Sequence, residues 1–222
     1  MNLKRSTKGL ILDFDGVIID STERSIQEHQ RFAQLKGYPV PDYEQLRQLW
    51  GLPWANVIKA IWPISIAKSF MEEYVRDYMK SGVKNRYLLF PDTLFSLAKL
   101  KEVGLLISLL TSRDQETLTL HLDNTAIPSD IFFFIQAPNG YSLQGPELKT
   151  FRPTLEKFER IGITKENLVY VADTLYDLQA TQAAQIEFIG VPTGAATEKE
   201  FKEAGAQNII ESIADLPSFL GL

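Results

Sequence analysis

No cysteine occurs among the 222 residues. That removes disulfides and thiol chemistry and suits a reducing compartment. Histidine is nearly absent as well. His29 and His121 are the only two, and both fall in polar, helix-like stretches that point to surface positions. A zinc centre and a Ser-His-Asp triad are thereby disfavoured. No apolar run is long enough to span a bilayer, and residues 1–8 are short and polar, so neither a membrane span nor a signal peptide is expected. Basic residues are not in excess. Lys and Arg number 23 against 28 Asp and Glu, and the net charge of -5 speaks against nucleic acid as a partner. The expectation is a cytoplasmic protein, monomer or homodimer, with no nucleic-acid and no membrane partner.

What the chain does have is apolar content, 45% of residues, enough for a real core in one large domain or one domain with an insert. Its organising stretch is Gly9-Leu-Ile-Leu-Asp-Phe-Asp-Gly-Val17. An apolar run of this length reads as a buried strand of a parallel sheet. Ligands in such sheets bind beyond the carboxyl ends of the strands, which is where Asp13 and Asp15 fall. Gly16 permits a turn directly after them. Two carboxylates this close repel unless a cation lies between them or one is protonated. Mg²⁺ favours carboxylate oxygens together with water and phosphate. The chemistry suggested is an aspartate nucleophile, a second aspartate for proton transfer, and Mg²⁺. Taken alone, the triplet also reads as a polar turn after a strand.

After a strand over residues 9–14, the pattern is helical from about 20 to 81. Helices are expected over 22–36, ended by Gly37, then 42–50, 54–62 and 65–80, with no strand among them. From residue 90 strands and helices alternate. Strands are expected over 105–110, 131–135, 167–172 and 186–191, with a short edge strand over 208–210. Helices fall between them, at 92–103, 115–124, 150–161, 175–184, 198–204 and 213–220. This alternation means βαβ units and a parallel sheet. The fold class is α/β, a doubly wound Rossmann-like core with a small all-helical cap inserted after the first strand. The core takes residues 1–17 and 88–222, and the cap 18–87.

Further chemical residues lie at later strand ends. Thr111-Ser112 offers a hydroxyl and backbone N–H groups at a helix start, either an anion site or an ordinary helix cap. Asp173 stands where it could complete a metal site, with Asp177 one turn on to orient it, though either could simply cap a helix. Lys149, with Arg152 close behind, offers a cation to balance phosphate and carboxylates, or an ordinary surface charge.

The order Asp13-Phe-Asp15-Gly-Val, Leu110-Thr111-Ser112, Lys149, and Val171-Ala-Asp173-Thr-Leu-Tyr-Asp177 resembles the haloacid dehalogenase superfamily. It is similar to the branch of phosphoglycolate phosphatase and β-phosphoglucomutase, and the helical insert resembles the smaller type of cap. The resemblance implies a Mg²⁺-dependent phosphatase acting on a small phosphorylated metabolite through an aspartyl-phosphate. By it, Asp13 is the nucleophile, and Asp15 protonates the leaving oxygen and then activates water. Thr111 and the Ser112 amide hold the phosphoryl group, and Lys149 steadies nucleophile and phosphate. Asp13, Asp173 and the Asp15 carbonyl hold Mg²⁺, with Asp177 beside them. Gly16, Arg152 and Trp54 join Ser112 as substrate-binding candidates.

The chain departs from the family pattern in places. Ala172 stands where a glycine is usual, and Arg152 rather than Lys149 directly precedes a proline. Spacing from Gly162 favours Lys149 as the cation, while an arginine in that role resembles the phosphonoacetaldehyde hydrolase branch. Haloacid dehalogenases proper lack the second aspartate. β-Phosphoglucomutases carry a histidine where this chain has Ser25, and basic residues where it has Trp50-Gly-Leu-Pro-Trp54. The alternatives are a phosphomutase, a C–P hydrolase, or a non-catalytic regulatory or binding protein on the same fold. Trp50, Trp54 and Trp62 all lie in the cap. They either pack its core or, for Trp50 and Trp54, line an apolar pocket over the leaving group. The turn 51–54 is expected to face the Asp13 cleft, with linkers near 17–20 and 82–89.

Overall fold

The apolar run before Asp13 forms β1 (Gly9–Leu12), buried along its whole length. In the computed structural model, which describes residues 7–79, 87–128, 130–139 and 151–222, the chain next makes β2 (Ile19–Asp20). The cap helices come after it: α1 (Thr22–Lys36), α2 (Tyr43–Leu49), α3 (Trp54–Ile61) and α4 (Ile64–Tyr74), the last running into a π-turn over Val75–Met79. The chain then returns through β3 (Leu88–Leu89) to the core. There it forms α5 (Thr93–Glu102), β4 (Leu106–Leu110), α6 (Gln115–Asp123), β5 (Phe132–Gln136), α7 (Arg152–Glu159) and β6 (Leu168–Ala172). The remaining elements are α8 (Leu175–Ala184), β7 (Glu187–Gly190), α9 (Glu198–Glu203) and α10 (Leu216–Phe219).

β1 lies at the centre of a five-stranded parallel sheet of order β5-β4-β1-β6-β7. Strand side chains alternate between faces. Leu10, Leu12, Leu109, Val169, Val171 and Ile189 therefore pack with Leu97 and Leu100 of α5 and Leu216 of α10. Ile11, Leu168, Tyr170 and Phe188 face the other way, onto Phe158 of α7, Leu178 of α8 and Phe201 of α9. Two covered faces account for the near-continuous apolar strands. From β1 the chain winds outward to β4 and β5, then returns to β6 and β7. The order reverses at β1, so the loops leaving β1, β4 and β6 meet at one edge.

The cap differs from the helix-only expectation. β2 and β3 pair antiparallel, Ile19 with Leu89 and Asp20 with Leu88, and tie the two crossings between cap and core to each other. Strands of two residues carry no periodic signal, which is why the pattern missed them. At the far edge, the strand expected over 208–210 reduces to a single bridge between Gly190 and Ile209. Of the linker expected near 82–89, residues 82–86 lie outside the described residues. Among the described residues no helix is long and apolar enough to cross a membrane.

Inside the cap, Phe32, Ala55, Ile58, Trp62, Phe70, Met71 and Tyr74 form a core of their own. His29 sits in it, 5% exposed, and so corrects the surface position read from its polar stretch. Its ring lies 4.6 Å from that of Tyr74, nearly parallel. Nδ1–H donates to the Ser25 carbonyl at 2.6 Å, leaving Nε2 to accept from Trp54 Nε1 at 2.7 Å. Burial holds the imidazole at about 4, against the upward pull of the Ser25 carbonyl.

A histidine depressed from 6.5 to about 4 stabilises the fold fully above 6.5. That contribution is lost as pH falls from 6.5 towards 4, and amounts to roughly 3 kcal/mol. His121, also brought down to about 4, contributes in the same window. The denaturation midpoint followed by tryptophan fluorescence should therefore drop between pH 7 and pH 5. His29→Phe should flatten part of that slope whatever it does to absolute stability. An unchanged slope would show that His29 titrates normally.

Candidate active site

The strand order brings three carboxylates to one point. Asp13 follows β1, Asp173 follows β6, and Asp177 lies in the first turn of α8. All three are buried, and their ligand oxygens lie within 4.8 Å of one another. Buried like charges are stable only with a cation or a proton among them. Each is also held by donors. The Phe14 N–H donates to Asp13 Oδ1 at 2.7 Å, and the Ala195 N–H to Asp173 Oδ2 at 2.9 Å. Asp177 accepts from the Tyr170 hydroxyl at 2.8 Å and the Thr174 hydroxyl at 2.5 Å, one on each oxygen. Burial, then the charges of Asp13 and Asp177, push the Tyr170 phenol well above its ordinary value, so it stays a donor. Hard, anionic oxygen donors in this number suit Mg²⁺.

Two glycines close around Asp173. A Cβ on Gly194 would lie 1.8 Å from Asp173 Oδ2, and one on Gly16 would lie 2.3 Å from it. Gly16 also has φ +74°, a conformation other residues resist. The structure thus sets Gly16 against the Asp173 carboxylate. The Thr193 hydroxyl donates to the Gly16 carbonyl at 2.6 Å and joins the two loops. Neither Thr193 nor Gly194 stands out in the sequence. The available signal is Pro192-Thr-Gly194, a turn cluster at the end of an apolar run.

The Asp15 carboxylate is not part of this trio. Arg113 grips it with two nitrogens, Nε to Oδ2 at 3.0 Å and Nη2 to Oδ1, and the Ser21 hydroxyl donates to Oδ1 at 2.5 Å. Ser21 stands at the N-cap of α1, yet its hydroxyl makes no cap bond. Burial pushes the Asp15 carboxyl up, but the guanidinium and the hydroxyl outweigh it and hold the group below its ordinary value. Arg113 lies over the Tyr87 ring, 5.5 Å from its centre. The Tyr87 hydroxyl shares a hydrogen bond with Ser25 and donates to Glu28 at 3.1 Å. Burial raises that phenol to about 12. Sequence reasoning missed Arg113, although it directly follows Thr111-Ser112 at a strand end.

Thr111 is buried at the end of β4, and its Oγ1 accepts from the Arg113 N–H at 3.1 Å. Ser112 is exposed beside it. Lys149 lies outside the described residues. Arg152, a candidate for substrate binding, instead has 83% of its side chain exposed and pairs with Glu156 at 2.9 Å along its own helix. Trp54, a candidate for an apolar pocket, packs half-buried against the cap core and donates its N–H to His29 Nε2. The turn before it does meet the site: a Cβ on Gly51 would lie 2.6 Å from Thr174 Oγ1, next to Asp173. Arg47 of α2 makes a second bridge from cap to core, to Glu200 at 2.8 Å and to the Ala195 carbonyl.

Residues 10–191 match the family model described as haloacid dehalogenase-like hydrolase. A phosphoglycolate phosphatase of Photorhabdus laumondii is 23% identical over 98% of this chain and 94% of its own length. A hydrolase of the haloacid dehalogenase-like family from Streptococcus pneumoniae superposes with a TM-score of 0.80 at 18% identity, over 97% of this chain and 99% of the other. A structure from Haemophilus somnus, named a predicted phosphoglycolate phosphatase, gives a TM-score of 0.79 at 16% identity, over 96% and 97% of the two chains. With the family match covering both aspartates that follow β1, the strand-end Thr111 and the Asp173–Asp177 pair, the chain belongs to the haloacid dehalogenase-like hydrolases.

Proposed function

We propose that the protein is a Mg²⁺-dependent phosphatase that hydrolyses a small phosphorylated metabolite. The observation that carries this reading is the split between the two aspartates that follow β1: Asp13 lies in the buried carboxylate trio, and Asp15 faces Arg113 and Ser21. Adjacent carboxylates in different surroundings can take different roles. Relatives named phosphoglycolate phosphatase support the substrate class.

In this reading the Asp13 carboxylate attacks phosphorus, and the bond from phosphorus to the leaving oxygen breaks. Asp15, ionised while Arg113 holds it, must first part from the guanidinium and take up a proton, which it then delivers to that oxygen. Water then attacks the aspartyl-phosphate, giving its proton to Asp15 and restoring Asp13. Thr111 and the Ser112 N–H hold phosphoryl oxygens, and Lys149 is the cation that balances them. Asp13 and Asp173, with the Asp15 carbonyl, would hold Mg²⁺, while Asp177 keeps them aligned through Tyr170 and Thr174. The bound ion supplies positive charge against the phosphoryl oxygens. Residues 18–87 act as a cap over the cleft, on a core of residues 1–17 and 88–222, and its closure excludes water during transfer.

Asp13→Asn should abolish turnover of a generic phosphate ester while leaving the fold intact by circular dichroism, because an amide cannot attack phosphorus. Asp15→Asn should slow it by about 10²–10⁴-fold. Near wild-type rates in the Asp13 variant would overturn the nucleophile assignment.

Chelation should remove activity and Mg²⁺ should restore it. Mg²⁺ should also raise the melting temperature, since an ion bound only by the folded trio stabilises it. Asp173→Asn should lose that rise. Full activity in excess chelator would sink the metal site.

Lys149→Ala should lower kcat by about 10²-fold or more, the scale of removing a charge from transition-state stabilisation. Arg152→Ala should change it little, as its exposed pair with Glu156 predicts. The reverse ranking would pass the role to Arg152.

A further inference from the structure

We propose that Arg113 determines specificity by reading a second anionic group on the substrate, a carboxylate carried on the carbon next to the leaving oxygen. The inference rests on the phosphatase reading and names the residue that selects among phosphate monoesters.

Position comes first. Arg113 is two residues beyond Thr111, so its backbone borders the site where phosphoryl oxygens would be held. Its guanidinium reaches the Asp15 carboxylate, the group assigned to the leaving oxygen. A substituent on the leaving group must therefore pass beside it. The side chain keeps 14% of its surface exposed, so it is not sealed from an incoming anion. Chemistry comes second. The planar fork of arginine matches a carboxylate bidentately, and in the resting protein it already holds one, that of Asp15. A substrate carboxylate offers the same two-oxygen face and can take the guanidinium in its place. Rigidity comes third. The Tyr87 ring lies beneath the guanidinium, and Ser25 and Glu28 fix the Tyr87 hydroxyl. A fork held on an aromatic plate loses little freedom when it changes partner.

The exchange has a mechanical consequence. Arg113 and Ser21 together engage both oxygens of Asp15. When the substrate anion takes the guanidinium, Asp15 keeps Ser21 and gains an oxygen that can turn to the leaving group. A substrate with the second anion thus frees the group that must serve it, whereas a plain alkyl phosphate must part Arg113 from Asp15 without offering a replacement.

The test compares phosphoglycolate with ethyl phosphate on the full-length protein with Mg²⁺. In the wild type, kcat/KM should favour phosphoglycolate at least about tenfold, the scale of one charged hydrogen-bonded pair. Arg113→Gln should collapse that ratio towards unity, and Arg113→Lys should leave it intermediate, since a point charge lacks the fork. A wild-type measurement guards against misfolding of the variants: phosphonoacetate should inhibit at least about tenfold more tightly than methylphosphonate. Hydrolysis of both esters without preference would overturn the role of Arg113 and leave the phosphatase reading standing. A ratio that survives Arg113→Gln, while both rates fall together, would also overturn it, making Arg113 only a holder of Asp15. Hydrolysis of neither ester, nor of a generic aryl phosphate, would remove the phosphatase reading and this inference with it.

Discussion

Negative charge buried at the carboxyl edge of the sheet is the constraint on which the rest of the molecule depends. Three carboxylates with oxygens within 4.8 Å of one another are unfavourable in a low-dielectric interior. Their surroundings answer that cost at several levels. The central strand and its neighbour β6 bring Asp13 and Asp173 together, and the start of α8 adds Asp177. Donors from Phe14, Ala195, Tyr170 and Thr174 satisfy individual oxygens. Residual charge of this kind, held on a rigid sheet edge, suits a hard cation.

The cap is tied to the same point. Arg47 of α2 donates to the Ala195 carbonyl, while the N–H of Ala195 donates to Asp173. A single residue of the core therefore touches the cap on one side and a carboxylate of the trio on the other. Gly51 approaches Thr174, whose hydroxyl holds Asp177. At the other end of the cap, the β2–β3 pair fastens both linkers together. The cap is thus joined to the loops that carry the acidic residues by contiguous hydrogen bonds and packing rather than by proximity alone.

The legible parts of the sequence were those with a strong period or a strong local rule. Continuous apolar runs marked all five strands of the sheet, and Asp13, Thr111 and Asp173, read from strand ends, lie at them. Gly37, at the close of α1, has the left-handed conformation its type permits. What escaped were relations between segments distant in the chain. Two-residue strands have no pattern, so β2 and β3 were invisible. His29 lies among polar neighbours in sequence, but the residues that bury it come from α3 and α4. Ser21 reads as a helix cap, yet a carboxylate six residues earlier takes its hydroxyl. Arg113 reads as an ordinary loop arginine until the sheet carries it to Asp15, 98 positions away. Arg152 had the right neighbour in Pro153, but helix geometry turns it to Glu156.

The two aspartates that follow β1 show how one short stretch yields two chemical environments. They are separated by Phe14, whose side chain is fully buried in the core. Burial of that ring fixes the backbone between them, so Asp13 joins the trio while Asp15 faces Arg113 and Ser21. A nucleophile needs its negative charge kept beside a cation site, whereas a proton carrier needs a partner that can leave. Asp13 has the first kind of surroundings, held by the backbone N–H of Phe14, which cannot move away. Asp15 has the second, held by an arginine side chain with several rotatable bonds. The asymmetry that the proposed attack and proton transfer would use is therefore built from one buried phenylalanine and one arginine side chain.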